Sequence, residues 1–293
     1  MKKKVFIYGA AQLGIQIAWH INETYNLLGF IDTDPRKHTS NGGGCINVDD
    51  KDYIIYSPDI LEATQIDKIF IGSEVDIHIK HIKDILLSYG INEEKIDTSF
   101  TFIPYYARLN FIKLLSLEFK SKKIKGSVAE LGVFRGETAK EINRFFKNDT
   151  FYLLDTFKGF DIRDCENEKQ QGLSKANIDD FSNTSLDYVK SRMPYFDKCI
   201  FIQGFFPKTS IQIPTDECFK FVNIDVDLYQ PILAALEYFY PRMVDCGVIL
   251  IHDYFHPYYI GVKRAVDEFC FKYSLNPIII GDAFSIALIK NEG

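Results

Sequence analysis

Short apolar runs alternate with helix-like stretches along the first hundred residues. The runs at 4–8, 27–31 and 68–71 have the length of buried strands, and the apolar residues between and after them recur at helical spacing. Strands that alternate with helices favour a parallel sheet covered by helices. We therefore predict a Rossmann-like domain over residues 1–100.

The same alternation returns after an amphipathic segment at 101–125, which we interpret as a linker helix. The later strand-like runs are 128–132, 151–155, 199–202, 219–225, 248–252, 277–280 and 284–289. Only three residues separate the last two runs, which permits a hairpin but no helical crossover, so the final strand should be antiparallel. The overall prediction is an α/β protein with two doubly wound domains, the second over 126–293.

One internal segment breaks this pattern. The stretch between Gly159 and Pro194 is long and polar, and we predict that it is irregular apart from a short helix through Val189, which Ser182 or Thr184 could cap. Long loops in compact domains often cover a substrate site, so this segment is a candidate lid.

Composition narrows the classes of function. The chain has 293 residues, 34 basic and 40 acidic side chains and a net charge of −6, which indicates two domains without the basic surface of a nucleic-acid-binding protein. No stretch reaches the roughly 20 apolar residues of a membrane span.

The six cysteines form no C-x-x-C pair. They are typical of reduced thiols, so we expect a cytoplasmic protein.

A glycine turn follows the strand that begins the second domain. Gly132 and Gly136 frame a strand-to-helix turn, where the backbone can approach a ligand and the helix offers unpaired N–H groups. Glu130 lies in the strand, where a carboxylate can meet a charged amine. Asp155 ends the next strand, where an acid can accept hydrogen bonds from ribose hydroxyls. The alternative is a helix-capping glycine and a solvated acid.

Acidic residues also end two later strands. Asp225 and Asp227 are two apart, so in an extended segment they face the same side. His252 and Asp253 end the following strand. If the two strands are neighbours, four potential metal ligands converge. Oxygen ligands suit Mg²⁺ or Ca²⁺, and a histidine favours a transition metal such as Mn²⁺. The alternative is that these residues are strand-end caps and surface charges.

Six segments of the second domain resemble the TylF/MycF/NovP macrocin O-methyltransferases, class I enzymes that use S-adenosylmethionine (SAM) to methylate sugar hydroxyls. The matching segments are 129–136, 154–160, 204–209, 224–229, 247–254 and 265–269. The resemblance covers about half of the chain, in order and at compatible spacings. It implies a class I methyltransferase sheet that binds SAM. The residues that it assigns to SAM are Glu130, Gly132, Gly136, Asp155, Gly204 and Phe205, the last two near the adenine.

The resemblance also implies a divalent metal, Mg²⁺ or Mn²⁺, held by Asp225, His252 and Asp253, and a general base at Asp227. The family usually has two aspartates where this chain has His252 and Asp253. The identity of the metal is therefore open.

The first domain carries a partial dinucleotide fingerprint. Gly9 and Gly14 follow the first strand and Asp32 ends the second, but Ala11 stands where the second glycine of the fingerprint would be. The domain is also similar to the Rossmann-like domain of PglD-type sugar-modifying enzymes. Two interpretations stay open, namely a nucleotide or nucleotide-sugar site at Gly9, Gly14 and Asp32, and a ligand-free scaffold that supports dimerisation.

The main hypothesis is therefore a SAM-dependent O-methyltransferase that acts on a nucleotide-linked or surface-polysaccharide sugar and forms a homo-oligomer. A first alternative is an NAD-dependent sugar-modifying oxidoreductase that uses the first domain, but no Tyr-x-x-x-Lys pair occurs there. A second alternative is a non-catalytic sugar-nucleotide-binding protein. The presence of both Asp225 and Asp253 argues against it.

Overall fold

The structure, a computed structural model, describes residues 2–21, 23–38, 44–73 and 75–291. The chain divides into two compact units, Met1–Tyr106 and Ala107–Gly293. Within the described ranges, no helix is both long enough and apolar enough to cross a membrane.

The first unit contains a parallel five-stranded sheet with the order β5-β2-β1-β6-β7. These strands are β1 (Lys4–Tyr8), β2 (Asn26–Ile31), β5 (Ile55–Tyr56), β6 (Lys68–Ile71) and β7 (Ile96–Asp97). A separate antiparallel pair is formed by β3 (Ile46–Val48) and β4 (Lys51–Tyr53). The helices are α1 (Gln12–Ile21), α2 (Ile60–Ala63) and α3 (Asp76–Ser88).

The division between the units falls inside helix α4 (Ile103–Ser121). The second unit contains a seven-stranded sheet with the order β10-β9-β8-β11-β12-β14-β13. Its strands are β8 (Ser127–Leu131), β9 (Phe151–Asp155), β10 (Cys199–Gln203), β11 (Phe219–Ile224), β12 (Met243–Ile251), β13 (Ile278–Ile279) and β14 (Ile286–Ile289). Its remaining helices are α5 (Glu137–Phe145), α6 (Ile162–Gln171), α7 (Leu186–Arg192), α8 (Tyr229–Phe239) and α9 (Ile260–Tyr273).

The alternation of side chains along β8 shows how this sheet builds two apolar layers. Ala129 and Leu131 pack into one cluster with residues of α8 and α9, whereas Val128 packs into a second cluster with residues of α4, α5 and α7. Successive strand residues point to opposite faces, so a strand with helices on both sides is apolar throughout. The predicted doubly wound α/β class is confirmed.

The end of the sheet follows the sequence prediction as well. β14 pairs antiparallel with β12, and β13 pairs antiparallel with β14. The few residues between β13 and β14 allow a tight reversal of the chain and cannot hold a crossover helix. The antiparallel last strand is therefore confirmed.

The segment between Gly159 and Pro194 is less irregular than predicted. The expected short helix through Val189 is present as α7, with Ser185 as its cap in place of Ser182 or Thr184, whereas α6 was not predicted. This segment contains α6 and α7, and the Asp161 side chain caps α6 by accepting a hydrogen bond from the Arg163 N–H. Most residues of α6 are polar and only Cys165 and Glu168 are buried, so the apolar spacing that normally reveals a helix is almost absent. The helix is defined instead by its Asp161 cap and by Gly172 in the left-handed conformation at its end.

Gly132 permits a contact that positions the site described below. Its φ is +86°, and a methyl group there would lie 1.9 Å from the carbonyl oxygen of Asp225. Only glycine allows the ends of β8 and β11 to approach this closely.

We expect Gly132→Ala to lower the free energy of unfolding by more than about 3 kcal/mol, because left-handed strain and overpacking act together. Gly172→Ala is the matched control, since Gly172 also has a positive φ of +65° but no atom lies within 4 Å of an added methyl. The free energy of unfolding of that control should fall by only about 1–2 kcal/mol. Urea unfolding followed by circular dichroism measures both values, and equal losses would refute the steric explanation.

Candidate active site

The carboxyl ends of four parallel strands form one edge of the second sheet. Gly132 follows β8, Asp155 ends β9, Asp225 follows β11 and His252 follows β12. The Asp225 N–H donates to the Leu131 carbonyl at 2.9 Å, and the His252 N–H donates to the Ile224 carbonyl at 3.0 Å. Ligand sites in α/β sheets lie outside this edge.

Asp155 connects the glycine turn to its own strand. Its Oδ2 accepts the N–H groups of Val133 and Phe134 at 2.6 and 2.8 Å, and its Oδ1 accepts the Phe157 N–H at 2.6 Å. Burial raises the pKa of Asp155, and the three hydrogen bonds oppose that shift. The carboxylate thus organises two turns, a role that the sequence analysis did not assign to it.

Glu130 lies in β8 with its side chain almost fully buried. Asn223 Nδ2 donates to one carboxylate oxygen at 2.9 Å, whereas Oε2 has no hydrogen-bond partner in the part of the chain that the structure describes. Burial raises the pKa of Glu130 well above its usual range. Burying a carboxylate oxygen without a hydrogen-bond donor costs free energy, so this position suits a ligand that donates hydrogen bonds. Asn223, a polar residue inside an apolar strand, is a signal that the sequence analysis missed.

Gly204 and Phe205 extend the same edge beyond β9. The Gly204 N–H donates to the Asp155 carbonyl at 2.9 Å, and Gly204 has a φ of +135°. The Arg163 guanidinium lies 3.6 Å from the centre of the Phe205 ring. The structure therefore places Gly204 next to Asp155, and the Phe205 ring lies against Arg163.

Asp225, His252 and Asp253 converge, and Asp227 adjoins them. His252 Nδ1 lies 3.1 Å from Asp225 Oδ1 and 3.1 Å from Asp253 Oδ2. One potential ligand atom from each of the three residues lies within 4.8 Å of the others. The carboxyl group of Asp227 is hydrogen-bonded to that of Asp253. The Arg108 guanidinium of α4 lies 3.6 Å from Asp225 Oδ2, a contact that no sequence signal indicated.

Protons are distributed unevenly over this cluster. Burial raises the pKa of Asp227 well above the usual carboxyl range, and the hydrogen bond to Asp253 adds to that effect. Burial acts to raise the pKa of Asp253, but the charge and hydrogen bond of His252 outweigh it and the net shift is downward. Burial and Arg108 act to lower the pKa of His252, yet the two neighbouring carboxylates outweigh them and raise it. A buried group of one charge stabilises the charged form of its opposite neighbour.

In the first unit, Gly9, Gly14 and Asp32 meet at the turn between β1 and α1. A methyl group on Gly14 would lie 2.1 Å from the Gly9 carbonyl oxygen, so both residues are needed for close packing of the turn. Asp32 Oδ2 accepts the Ala10 N–H at 3.0 Å and the Lys37 Nζ at 2.9 Å. These contacts explain why the fold needs these three residues even when no nucleotide is bound.

Comparison with known proteins gives one family match and two informative structural neighbours. The profile of the macrocin O-methyltransferase (TylF) family matches residues 94–286, which is more than half of the chain. The structure of the O-methyltransferase NovP is similar with a TM-score of 0.52 and 22% identity over 64% of this chain and 80% of that chain. The calicheamicin methyltransferase CalS11 is similar with a TM-score of 0.54 and 15% identity over 74% of this chain and 88% of that chain. No curated protein matches the sequence significantly.

We expect Asp155→Asn to destabilise the protein even without a ligand. The amide keeps the size of the side chain but has one acceptor oxygen, so at least one buried N–H loses its partner, at about 1–3 kcal/mol. Amide hydrogen exchange at Val133, Phe134 and Phe157 should accelerate. Asp161→Asn is the control, because asparagine caps a helix as well as aspartate does. Unchanged stability and exchange in Asp155→Asn would contradict the structural role.

Proposed function

Because the chain belongs to the macrocin O-methyltransferase (TylF) family, we propose that this SAM-dependent O-methyltransferase transfers the methyl group to a sugar hydroxyl, with assistance from a metal. The observation that carries this proposal is the contact between two sites. The Asp225 N–H donates to the carbonyl of Leu131, the residue that precedes Gly132. The glycine turn and the acidic cluster thus adjoin, as transfer between a bound cofactor and a deprotonated hydroxyl requires.

The glycine-turn edge fits the cofactor in chemical terms. The unmatched Glu130 Oε2 is suited to the ammonium group of a methionine moiety, and Asp155 ends the strand at which an acidic residue meets ribose hydroxyls. Gly204 and Phe205 are the residues that we assign to the planar base, although the Arg163 guanidinium lies over the Phe205 ring and would have to share it or move. SAM supplies an electrophilic methyl group on a sulfonium cation, and these residues hold it in place.

We assign to Asp227 the role of the general base that takes the proton of the sugar hydroxyl. A sugar hydroxyl is a poor nucleophile near neutral pH, and a positioned carboxylate that takes its proton accelerates transfer by about 10²–10⁴-fold. A divalent cation held by Asp225, His252 and Asp253 would favour the ionised form of Asp227, which is the form that can accept a proton.

The cluster of Asp225, His252 and Asp253 has a donor set for a divalent cation. Two carboxylates and one imidazole fit Mn²⁺ better than Mg²⁺, which prefers oxygen ligands. The Arg108 guanidinium near Asp225 opposes binding of a cation, so the affinity should be modest. A bound metal would lower the pKa of a coordinated hydroxyl.

The acceptor is proposed to be a nucleotide-linked or surface-polysaccharide sugar. The support for this class is the parallel, Rossmann-like sheet of the first unit. This argument is an analogy of fold, and it therefore needs the binding measurements below.

We expect the wild-type protein to bind SAM in calorimetry, and Asp227→Asn to keep that affinity within about threefold while transfer slows at least about 100-fold. Transfer is measured in single turnovers with labelled SAM, using an acceptor found in a panel of nucleotide sugars. Asp245→Asn is the control, since Asp245 is exposed in β12. Absence of SAM binding by the wild-type protein, with EDTA and with Mn²⁺, would refute the cofactor assignment. An unchanged rate would remove Asp227 as the base.

We expect Mn²⁺ to bind more tightly than Mg²⁺, with loss of at least about tenfold in affinity in Asp253→Asn. His252→Asp should shift the preference towards Mg²⁺, because it replaces nitrogen by oxygen. Calorimetry and the electron paramagnetic resonance of Mn²⁺ report binding independently of activity. Asp245→Asn serves again as the control, and equal affinities for both metals in all variants would contradict the assigned ligands.

A further inference from the structure

A polar pocket lies beside the glycine turn, on residues that the proposed reaction does not use. Its volume is about 240 Å³. It is lined by Arg135, Ser182, Asn183, Thr184, Ser185 and Tyr188. Arg135 belongs to the turn between Gly132 and Gly136, and Tyr188 lies in α7. The pocket thus joins the cofactor turn to the segment that precedes α7.

The two arginines near this pocket differ in how their charges are matched. Arg192 Nη1 lies 2.6 Å from Glu137 Oε1 and also donates to the Arg135 carbonyl at 2.9 Å, so its charge is paired. Arg135 forms no ion pair with any residue that the structure describes. Its Nε is buried and lacks an acceptor among those residues. Because no carboxylate among the described residues matches the charge of the Arg135 guanidinium, an anion in the pocket would do so.

Tyr188 lies between the two guanidinium groups. Its hydroxyl oxygen accepts hydrogen bonds from Arg135 Nη2 at 3.1 Å and from Arg192 Nη1 at 3.3 Å. The hydrogen bond from Arg135 lowers the pKa of Tyr188. Because the oxygen accepts both bonds, the hydroxyl hydrogen remains as a donor for an acceptor in the pocket.

The loop before α7 is held against the glycine turn. The Thr184 hydroxyl donates to the Phe134 carbonyl, and the Ser185 hydroxyl oxygen accepts the Tyr188 N–H at 3.2 Å. The Ser185 O–H hydrogen and the Asn183 amide then add neutral donors to the charged Arg135. The result is a concave set of donors with one unmatched positive charge.

We propose that this pocket binds a phosphate group of the acceptor, which makes the acceptor a phosphate-linked sugar, such as a nucleotide sugar, and not a finished polysaccharide. The inference rests on the proposed methyl transfer. A planar guanidinium fork matches two phosphate oxygens, and hydroxyl and amide donors suit the others. A carboxylate has only two oxygens and would leave part of this donor set unmatched.

The test is calorimetry on the full chain with inorganic pyrophosphate and with UDP as probes, and with SAM in a separate titration. We expect both phosphate probes to bind the wild-type protein and to weaken at high salt. Their affinity should fall at least about tenfold in Arg135→Gln, as expected for a lost charge-assisted contact, and by less in Tyr188→Phe. Arg144→Gln is the control, because Arg144 is exposed in α5 and paired with Glu141. SAM affinity should stay within about twofold in all variants.

Two results would overturn the proposal. If the phosphate probes do not bind and Arg135→Gln weakens SAM, the pocket holds the cofactor carboxylate. If Arg135→Gln changes neither affinity, Arg135 only supports Tyr188. Thermal unfolding shows whether Arg135→Gln folds. If it does not fold, the affinities of Tyr188→Phe for the phosphate probes and for SAM decide between the same outcomes. Failure of the wild-type protein to bind SAM would refute the proposed function, whereas the pyrophosphate titration would still decide the role of the pocket.

Discussion

The close approach of the ends of β8 and β11 is the constraint on which the second unit depends. Residue 132 must be glycine because the Asp225 carbonyl oxygen occupies the space that a side chain would need. The Asp225 N–H donates a hydrogen bond to the Leu131 carbonyl. A larger residue would separate the two strand ends. The glycine turn and the acidic cluster adjoin only because this contact exists, so the proposed cofactor and acceptor chemistry both rely on a backbone feature.

The two units use a carboxylate at the end of their second strand in the same way. Asp32 accepts the N–H of Ala10, and Asp155 accepts the N–H groups of Val133 and Phe134. Each carboxylate thereby holds the turn that follows the first strand of its sheet. An acid at this position in a sequence is therefore compatible with ribose binding and equally with a structural clamp. Only the contacts in the folded structure distinguish the two roles, and for both residues they show the structural one.

Unmatched buried polar atoms mark the places where the second unit is suited to ligands. Glu130 Oε2 lies at the glycine turn and lacks a donor, and Arg135 Nε lies on the same turn and lacks an acceptor, in each case among the described residues. One position is suited to a cation and the other to an anion. Folded proteins satisfy most of their buried polar groups, so these two atoms, one in β8 and one on the turn that follows it, support the two proposed ligand sites.

Local patterns in the sequence determined the α/β class, the strands of the second sheet, three strands of the first, the antiparallel last strand and the resemblance to a methyltransferase family, because alternation and spacing are local properties. The two-residue strands β5 (Ile55–Tyr56) and β7 (Ile96–Asp97) were not predicted, because two residues are too few to show a period. The polar helix α6 escaped that reasoning, since its caps and not its apolar spacing define it. Only the tertiary structure decided which side chains meet. His252 Nδ1 lies equally close to Asp225 and Asp253, and Arg135 meets Tyr188 across 53 residues. Such contacts depend on how distant segments pack, and no local pattern records that packing.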